Sequence, residues 1–486
     1  MSTLETEPRS RGLGERIRSD PEPATVWAGA CLLLLSVQFG AVFQTVRALF
    51  PGGAVGSYVP AFVGAPVAAA GEFVGSLPTL LTRDVIPNQG YRLPGQGWQE
   101  TFLGLEPAVA WLVRVALIYV YSLAWLALLW WGYRIFRSEY RAADWTPMDD
   151  KVARFRSHYW GISGVVVVFF FVVMAVFAPA MGPTTVERNI QEPFSYEVSY
   201  FDEEAGSVAT ETVGTANFES GSSGTPEENV GPLSYDDYGR FHPIGTLPKG
   251  NDMFTFMAAG ARISLSIALL SIGISVLIGV GLAVFTAYYK GLSDLVAVIA
   301  SDSVQAIPQL LLLILLASLL RGTWLGSLYN GAAVLTIIFA ATNWPYLWRA
   351  IRGPALQIAE NEWIDASRSF GQRPRRIMQK HMVPYVTGYM LIYASLSIGG
   401  IIISVAGLSY LGLGISAPTP EWGRAVRMGQ DYVTTASWHI SLIPGVMIVL
   451  LVTAFNAFGD GVRDALDPQA ETEEDAEIAT AGGSGA

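Results

Sequence analysis

The sequence predicts an all-α integral membrane protein of eight spans, a two-span N-terminal block followed by a six-span unit that carries a large acidic insert. Three observations predict this. Apolar residues make up 51% of the 486 and charged residues only 15%, where a soluble chain carries about a quarter as charges, and the mean hydropathy is +0.38. The apolar residues gather into runs that can cross a hydrocarbon core, which takes about 20 helical residues. Arginine and lysine concentrate in connectors that alternate with acidic or neutral ones, and excess positive charge marks the cytoplasmic side.

In chain order, residues 1–25 form a basic cytosolic tail with Arg9, Arg11, Arg16 and Arg18. The run 26–47 is long enough to span and lacks a signal-peptide cleavage site. Connector 134–158 is basic again (Arg134, Arg137, Arg141, Lys151, Arg154, Arg156), so an even number of crossings separates the two landmarks. Span 108–133 supplies the return and completes the block 26–135. The weaker stretch 58–82, with Pro60, Pro66, Glu72 and Pro78, reads as external or interfacial, a ninth span being the alternative.

Span 159–182 then exits. The acidic insert 183–250 lies outside, with FSYEVSYF as a strand-forming stretch and Gly/Ser-rich 214–225 as a flexible one. Span 262–288 returns; 296–320, kinked at Pro308, and 330–349 form an out-and-back pair. Span 387–413 exits, SAPTPEWG turns outside, and 439–458 returns. The six-span unit is 159–467, both termini are cytoplasmic, and 468–486 is a disordered acidic tail.

Charge and residue chemistry exclude several functions. A net charge of -11 disfavours nucleic-acid binding. The lone Cys31 leaves neither a disulfide framework nor a Cys/His metal cluster. His158, His242, His381 and His439 are scattered without a nucleophile–base arrangement, so an enzyme is not expected. No G-x-x-x-x-G-K-[ST] sequence occurs, so this chain builds no P-loop.

The segment Ala359–Tyr385, AENEWIDASRSFGQRPRRIMQKHMVPY, is a charged, helix-patterned cytosolic island between two spans. Trp363, Ala366 and Phe370 fall at i, i+3 and i+7 on one face. Glu362, Asp365, Arg368 and Ser369 occupy the remainder, and Gly371 supplies a C-terminal stop. Such a helix either docks a partner or packs its aromatics on the chain's own spans.

Asp365-Ala366-Ser367, Gly371, Ile377 and Val383-Pro384 occupy the Glu-Ala-Ala, glycine, isoleucine and Leu-Pro positions of the EAA loop, and the island resembles that loop of binding-protein-dependent ABC importer permeases. HPIGT (242–246), GARISLS (260–266), GLSYLGLGISAPTPEWG (407–423) and FNAFGDGVRDALDP (455–468) are similar, in the same order, to stretches of the dipeptide/oligopeptide/nickel class, specifically its DppC/OppC-like subunit. The sequence departs from that class at Val405-Ala406-Gly407, where an acidic residue is common, and at Gly245-Thr246-Leu247 in place of Gly-Thr-Asp. Residues 1–135 and the insert have no counterpart in its short form.

The resemblance implies a six-span type I ABC importer permease core (MetI-like) preceded by the extra N-terminal block. It implies half of a translocation pathway for peptides or a related small solute. The loop 359–385 would couple to the ATPase through Glu362, Trp363, Asp365, Ala366, Arg368, Phe370, Gly371, Ile377 and Pro384. Implied partners are a second, DppB/OppB-like permease subunit in a heterodimer, two ABC ATPase subunits, an extracytoplasmic solute-binding protein and membrane lipid, with no nucleic acid. No cofactor is expected on this chain; ATP-Mg belongs to the ATPase subunits. Translocation-path candidates are Asp302, Ser409, Gly412 and Gly414, Asp302 facing a cavity or capping a helix with Ser303, and the glycines serving the path or ordinary bundle packing. The competing class is a secondary transporter or channel independent of an ATPase.

Overall fold

A computed structural model of the chain describes residues 12–38, 79, 85–141, 143, 145–223 and 228–466. The expectations for 58–82, apart from Thr79, and for the tail 468–486 lie outside these residues. So does the part of the first span beyond Gln38, whose described portion is the helix Glu22–Ser36 (α2), preceded by Leu13–Ser19 (α1).

Among the described residues, six helices are long and apolar enough to cross a membrane. They contain α3 (Pro107–Ile135), α5 (Tyr159–Val176), α7 (Met253–Tyr289), α10 (Ala332–Ala359), α12 (Val383–Tyr410) and α14 (His439–Leu466); the amphipathic α4 (Pro147–Ser157) precedes α5. Helix α7 begins well before the apolar run because Asp252 caps it, its Oδ1 accepting from Thr255 N at 2.7 Å. Its 37 residues make it about 56 Å long, longer than a hydrocarbon core of about 30 Å. Helix α10 runs through Pro345 and Pro354 to Ala359.

The expected span 296–320 is bent where Pro308 was expected to kink it. It is two helices, α8 (Gly291–Gln305) and α9 (Gln309–Arg321), bent by 85° at the break. Pro308 lacks an N–H and disfavours helical geometry at Ile307, so the chain leaves one helix and restarts with Pro308 as N-cap. The kink was legible; its size makes the segment a broken span or re-entrant pair.

One core unites α5, α7, α10, α12 and α14 through Phe171, Leu265, Phe339, Ile402 and Leu451. Helix α5 meets α14 along glycines: a Cβ on Gly164 would come within 2.5 Å of Ala454 O, and one on Gly161 within 2.9 Å of the Gly461 Cα. Gly273, Gly281, Gly400 and Gly407 face open space instead. The N-terminal helices join through Trp27 Nε1 donating to Leu128 O at 2.9 Å and Tyr121 OH to Leu34 O at 3.0 Å. Fully buried Arg114 on α3 donates to Ile86 O and Gly182 O, both at 2.9 Å, tying that helix to the segment after α5.

Ahead of α3, β1 (Tyr91–Leu93) and β2 (Gly97–Gln99) form a hairpin. In the insert, FSYEVSYF supplies β3 (Glu197–Asp202), antiparallel to β4 (Ser207–Thr212) with Tyr200 opposite Ala209. The segment expected to be flexible begins as helix α6 (Val213–Glu219). A short pair, β5 (Ser234–Tyr235) and β6 (Phe241–His242), closes the insert onto α7.

Candidate functional site

The charged island contains a helix, α11 (Glu362–Ser369), standing at the end of the bundle where α7 finishes. Ile364 roots it. That side chain is fully buried in a cluster with Ala287 of α7, Ile351 and Ala355 of α10, and Ile377 and Val386. Ile377 is equally buried, so it holds the loop to the bundle and is withdrawn from the set that could touch a partner.

The opposite side is open. Phe370 is 89% exposed and Trp363 36%, while Glu362, Asp365, Ala366, Gly371 and Pro384 are exposed as well. Trp363 leans on its own chain, 5.2 Å from the Tyr385 ring and 6.0 Å from His381. Arg368 lies over Tyr288 at 4.4 Å, donates to Tyr288 O at 3.3 Å, and reaches Asp365 Oδ1 at 3.2 Å. It therefore clamps α11 to the last turn of α7. Gly371 ends the helix at φ +70° with open space around it.

Of the four expected path residues, Ser409, Gly412 and Gly414 lie together and Asp302 lies apart from them. Asp302 of α8 is exposed and ion-paired to Arg349 of α10. Ser409 is buried, its Oγ accepting from Ile415 N at 3.4 Å. Gly414 is also buried, packed where a Cβ would collide with the Ser409 backbone. Gly412, at φ +78°, lines an open groove together with Ser409.

A different surface lines up at mid-span. Gln309, Asn343, Tyr346, Ser397, Gly400 and Ser404, from α9, α10 and α12, border an open groove of about 280 Å³ beside the α8–α9 break. Exposed and half-buried amides and hydroxyls at that depth, next to interrupted helix, are stable against water or another protein rather than lipid. Sequence reading missed the polar residues among these because each is singly placed in an apolar run; their shared 3.6-residue phase was the available signal.

Sequence reading also missed a buried polar network in the insert. Asp236 Oδ2 accepts from Arg240 Nε at 2.6 Å and lies 3.3 Å from His242 Nε2, whose Nδ1 is 3.0 Å from Asp252 Oδ2. Burial alone would lower the His242 pKa, but the hydrogen bonds and charges of Asp236 and Asp252 outweigh it and raise it. Burial opposes ionisation of Asp236, yet Arg240 and His242 hold its carboxyl well below the usual range. Because Asp252 also caps α7, the insert is wired to the same helix that Arg368 grips at its other end.

Glu421, a further buried carboxylate, caps α13 (Trp422–Gly429), accepting from Arg424 N at 3.0 Å. Burial pushes its carboxyl up, partly offset by its hydrogen bonds.

With this geometry in view, the family described as "Binding-protein-dependent transport system inner membrane component" matches residues 275–472. The dipeptide transport system permease protein DppC of Alkalihalophilus pseudofirmus is 33% identical over 228 residues, 47% of this chain and 72% of that one. The oligopeptide transport system permease protein OppC of Bacillus subtilis is 30% identical over 320 residues, covering 66% and 89%. The glutathione transport system permease protein GsiD of Escherichia coli is 29% identical, covering 67% and 91%. A solved methionine ABC transporter in inward-facing conformations aligns with 44% of this chain and 98% of its own at 21% identity and a TM-score of 0.36.

Proposed function

The chain belongs to the binding-protein-dependent ABC importer permeases of the peptide and oligopeptide group, and from that premise we propose how its surfaces divide the work. Helix α11 is the seat of a separate ATPase. The observation that carries this is a fixed yet unsatisfied aromatic: Phe370 is 89% exposed at the end of a helix whose Ile364 is fully buried. Helix-in-groove docking uses an apolar anchor set on a rigid amphipathic helix. Phe370 and Ala366 anchor, Trp363 flanks, Glu362 and Asp365 form the rim, and Gly371 turns the chain away.

ATP-Mg is bound and hydrolysed on the two ATPase subunits. Their closure moves α11, and Ile364, Ile377 and the Arg368–Tyr288 clamp pass that movement to α7, α10 and α12. The α11 end is cytosolic and the insert 183–250 extracytoplasmic, as the positive connectors suggest. The groove at Gln309, Asn343, Ser397 and Ser404 is this chain's half of the pathway, closed by a DppB/OppB-like permease subunit. A solute-binding protein delivers peptides or a related small solute to the outer end. The block 26–135 is an accessory held to the core at Arg114.

Proteoliposomes containing the complete complex and its binding protein test this. Uptake of a labelled dipeptide is expected to require hydrolysable ATP and to ignore a protonophore. Uptake that survives ATP removal and collapses with the protonophore would instead make the chain a secondary transporter.

A further inference from the structure

At the end of the bundle opposite α11, three arginines converge on one groove of about 460 Å³, lined also by Gly412 and Ser416. Arg321 ends α9, while Arg424 and Arg427 come from α13. Two of the three are held in place by carbonyl groups: Arg321 Nη2 donates to Gly412 O at 2.5 Å, and Arg424 Nη1 donates to Thr419 O. Arg427 occupies the space that a side chain at Gly412 would take, since a Cβ there would collide with its Nη1.

Among the described residues, neither Arg321 nor Arg427 has a carboxylate within ion-pair distance. Glu421 is buried and spends its oxygens on Ser264 and the N-terminus of α13, and Asp431, four residues beyond Arg427, makes no ion pair with it. A guanidinium carries five donors, so each arginine keeps several for a ligand. The planar fork matches a carboxylate in bidentate fashion. On a chain of net charge -11, three clustered guanidinium groups without a carboxylate in ion-pair contact make this groove positive, and a cleft of one sign focuses the field on its ligand.

We propose that Arg321, Arg424 and Arg427 form a carboxylate-binding subsite at the outer mouth, which takes the free carboxylate of the cargo as it leaves the binding protein. The proposal rests on the importer reading above and adds a chemical requirement on the solute, a carboxylate at one end.

The test is arginine footprinting on the purified complex. Phenylglyoxal labelling of Arg321 and Arg427 is followed by peptide mass spectrometry with trialanine, with trialanine amide, or with neither. At twice its Kd, trialanine is expected to slow labelling at both positions about threefold, and the amide to leave the rate unchanged. Arg427→Gln is expected to abolish protection of Arg321, and Arg427→Lys to retain part of it. Equal protection by acid and amide, or protection by cargo-free binding protein with none by trialanine, overturns the proposal in favour of a non-carboxylate site or a protein-docking surface. Footprinting does not depend on turnover. Failed trialanine uptake beside a positive footprint would count against the peptide cargo while leaving the subsite standing.

Discussion

Truncating Ile364 and Phe370 separately distinguishes rooting of α11 from docking on it. Ile364 is fully buried against Ala287, Ile351, Ala355 and Ile377. Ile364→Ala removes apolar atoms from a closed cluster and should cost about 2–5 kcal/mol. Phe370 is 89% exposed, so Phe370→Ala should change the stability of the isolated chain by no more than about 0.5 kcal/mol. Seated as an anchor in a partner groove, the same ring should contribute about 2 kcal/mol to binding, roughly a 30-fold loss of affinity for the ATPase. The assay pairs thermal unfolding of the purified permease with titration of ATPase subunits onto it. A destabilised Phe370→Ala chain with undiminished ATPase affinity would refute the reasoning, because the aromatic would then serve its own bundle.

Three further predictions follow from single residues. Gly371→Asp places a side chain at φ +70°, a strain of about 1–3 kcal/mol, and adds a charge beside Phe370; expression should persist while ATP hydrolysis and uptake uncouple, and normal uptake would contradict it. Gly164→Ala drives a Cβ into Ala454 O, so the α5–α14 contact should weaken by about 1–3 kcal/mol, read as lowered thermal stability, whereas Gly273→Ala, in open space, should leave it unchanged. His242 has a raised folded pKa, so its stabilisation is complete below the ordinary imidazole value of about 6.5 and is lost as pH rises through the folded value. Asp236 has a depressed one, so its share is present above about 3.9 and is lost as pH falls through the folded value. Corrected hydrogen-exchange protection in 228–252 should therefore be greater at about pH 6 than at about pH 9, with the difference removed in His242→Gln; equal protection would dismiss the network's role.

The spans were legible because an apolar run able to cross a membrane has few other uses. Their ends were not: α7 starts at Met253 because Asp252 caps it, and Asp252 takes its place from His242, ten residues away in a loop without periodicity. Pro308 announced a kink, but an 85° turn is set by what α8 and α9 each pack against. In α11 the 363, 366, 370 stripe was readable as one face, yet periodicity cannot say which face meets the bundle. A single isoleucine on the other side decided it, and Ile377 joined it there. The mid-span groove needed three helices in register, and no one of them signals it alone.

The claim on which the account turns is that α11 contacts the ATPase through Phe370. Phe370→Cys in a Cys31→Ser background, treated with a short bifunctional thiol cross-linker in the assembled complex, tests it directly. The account predicts a cross-link to the ATPase subunit whose yield changes with ATP. A link to this chain's own spans, with none to the ATPase under any nucleotide condition, would contradict it.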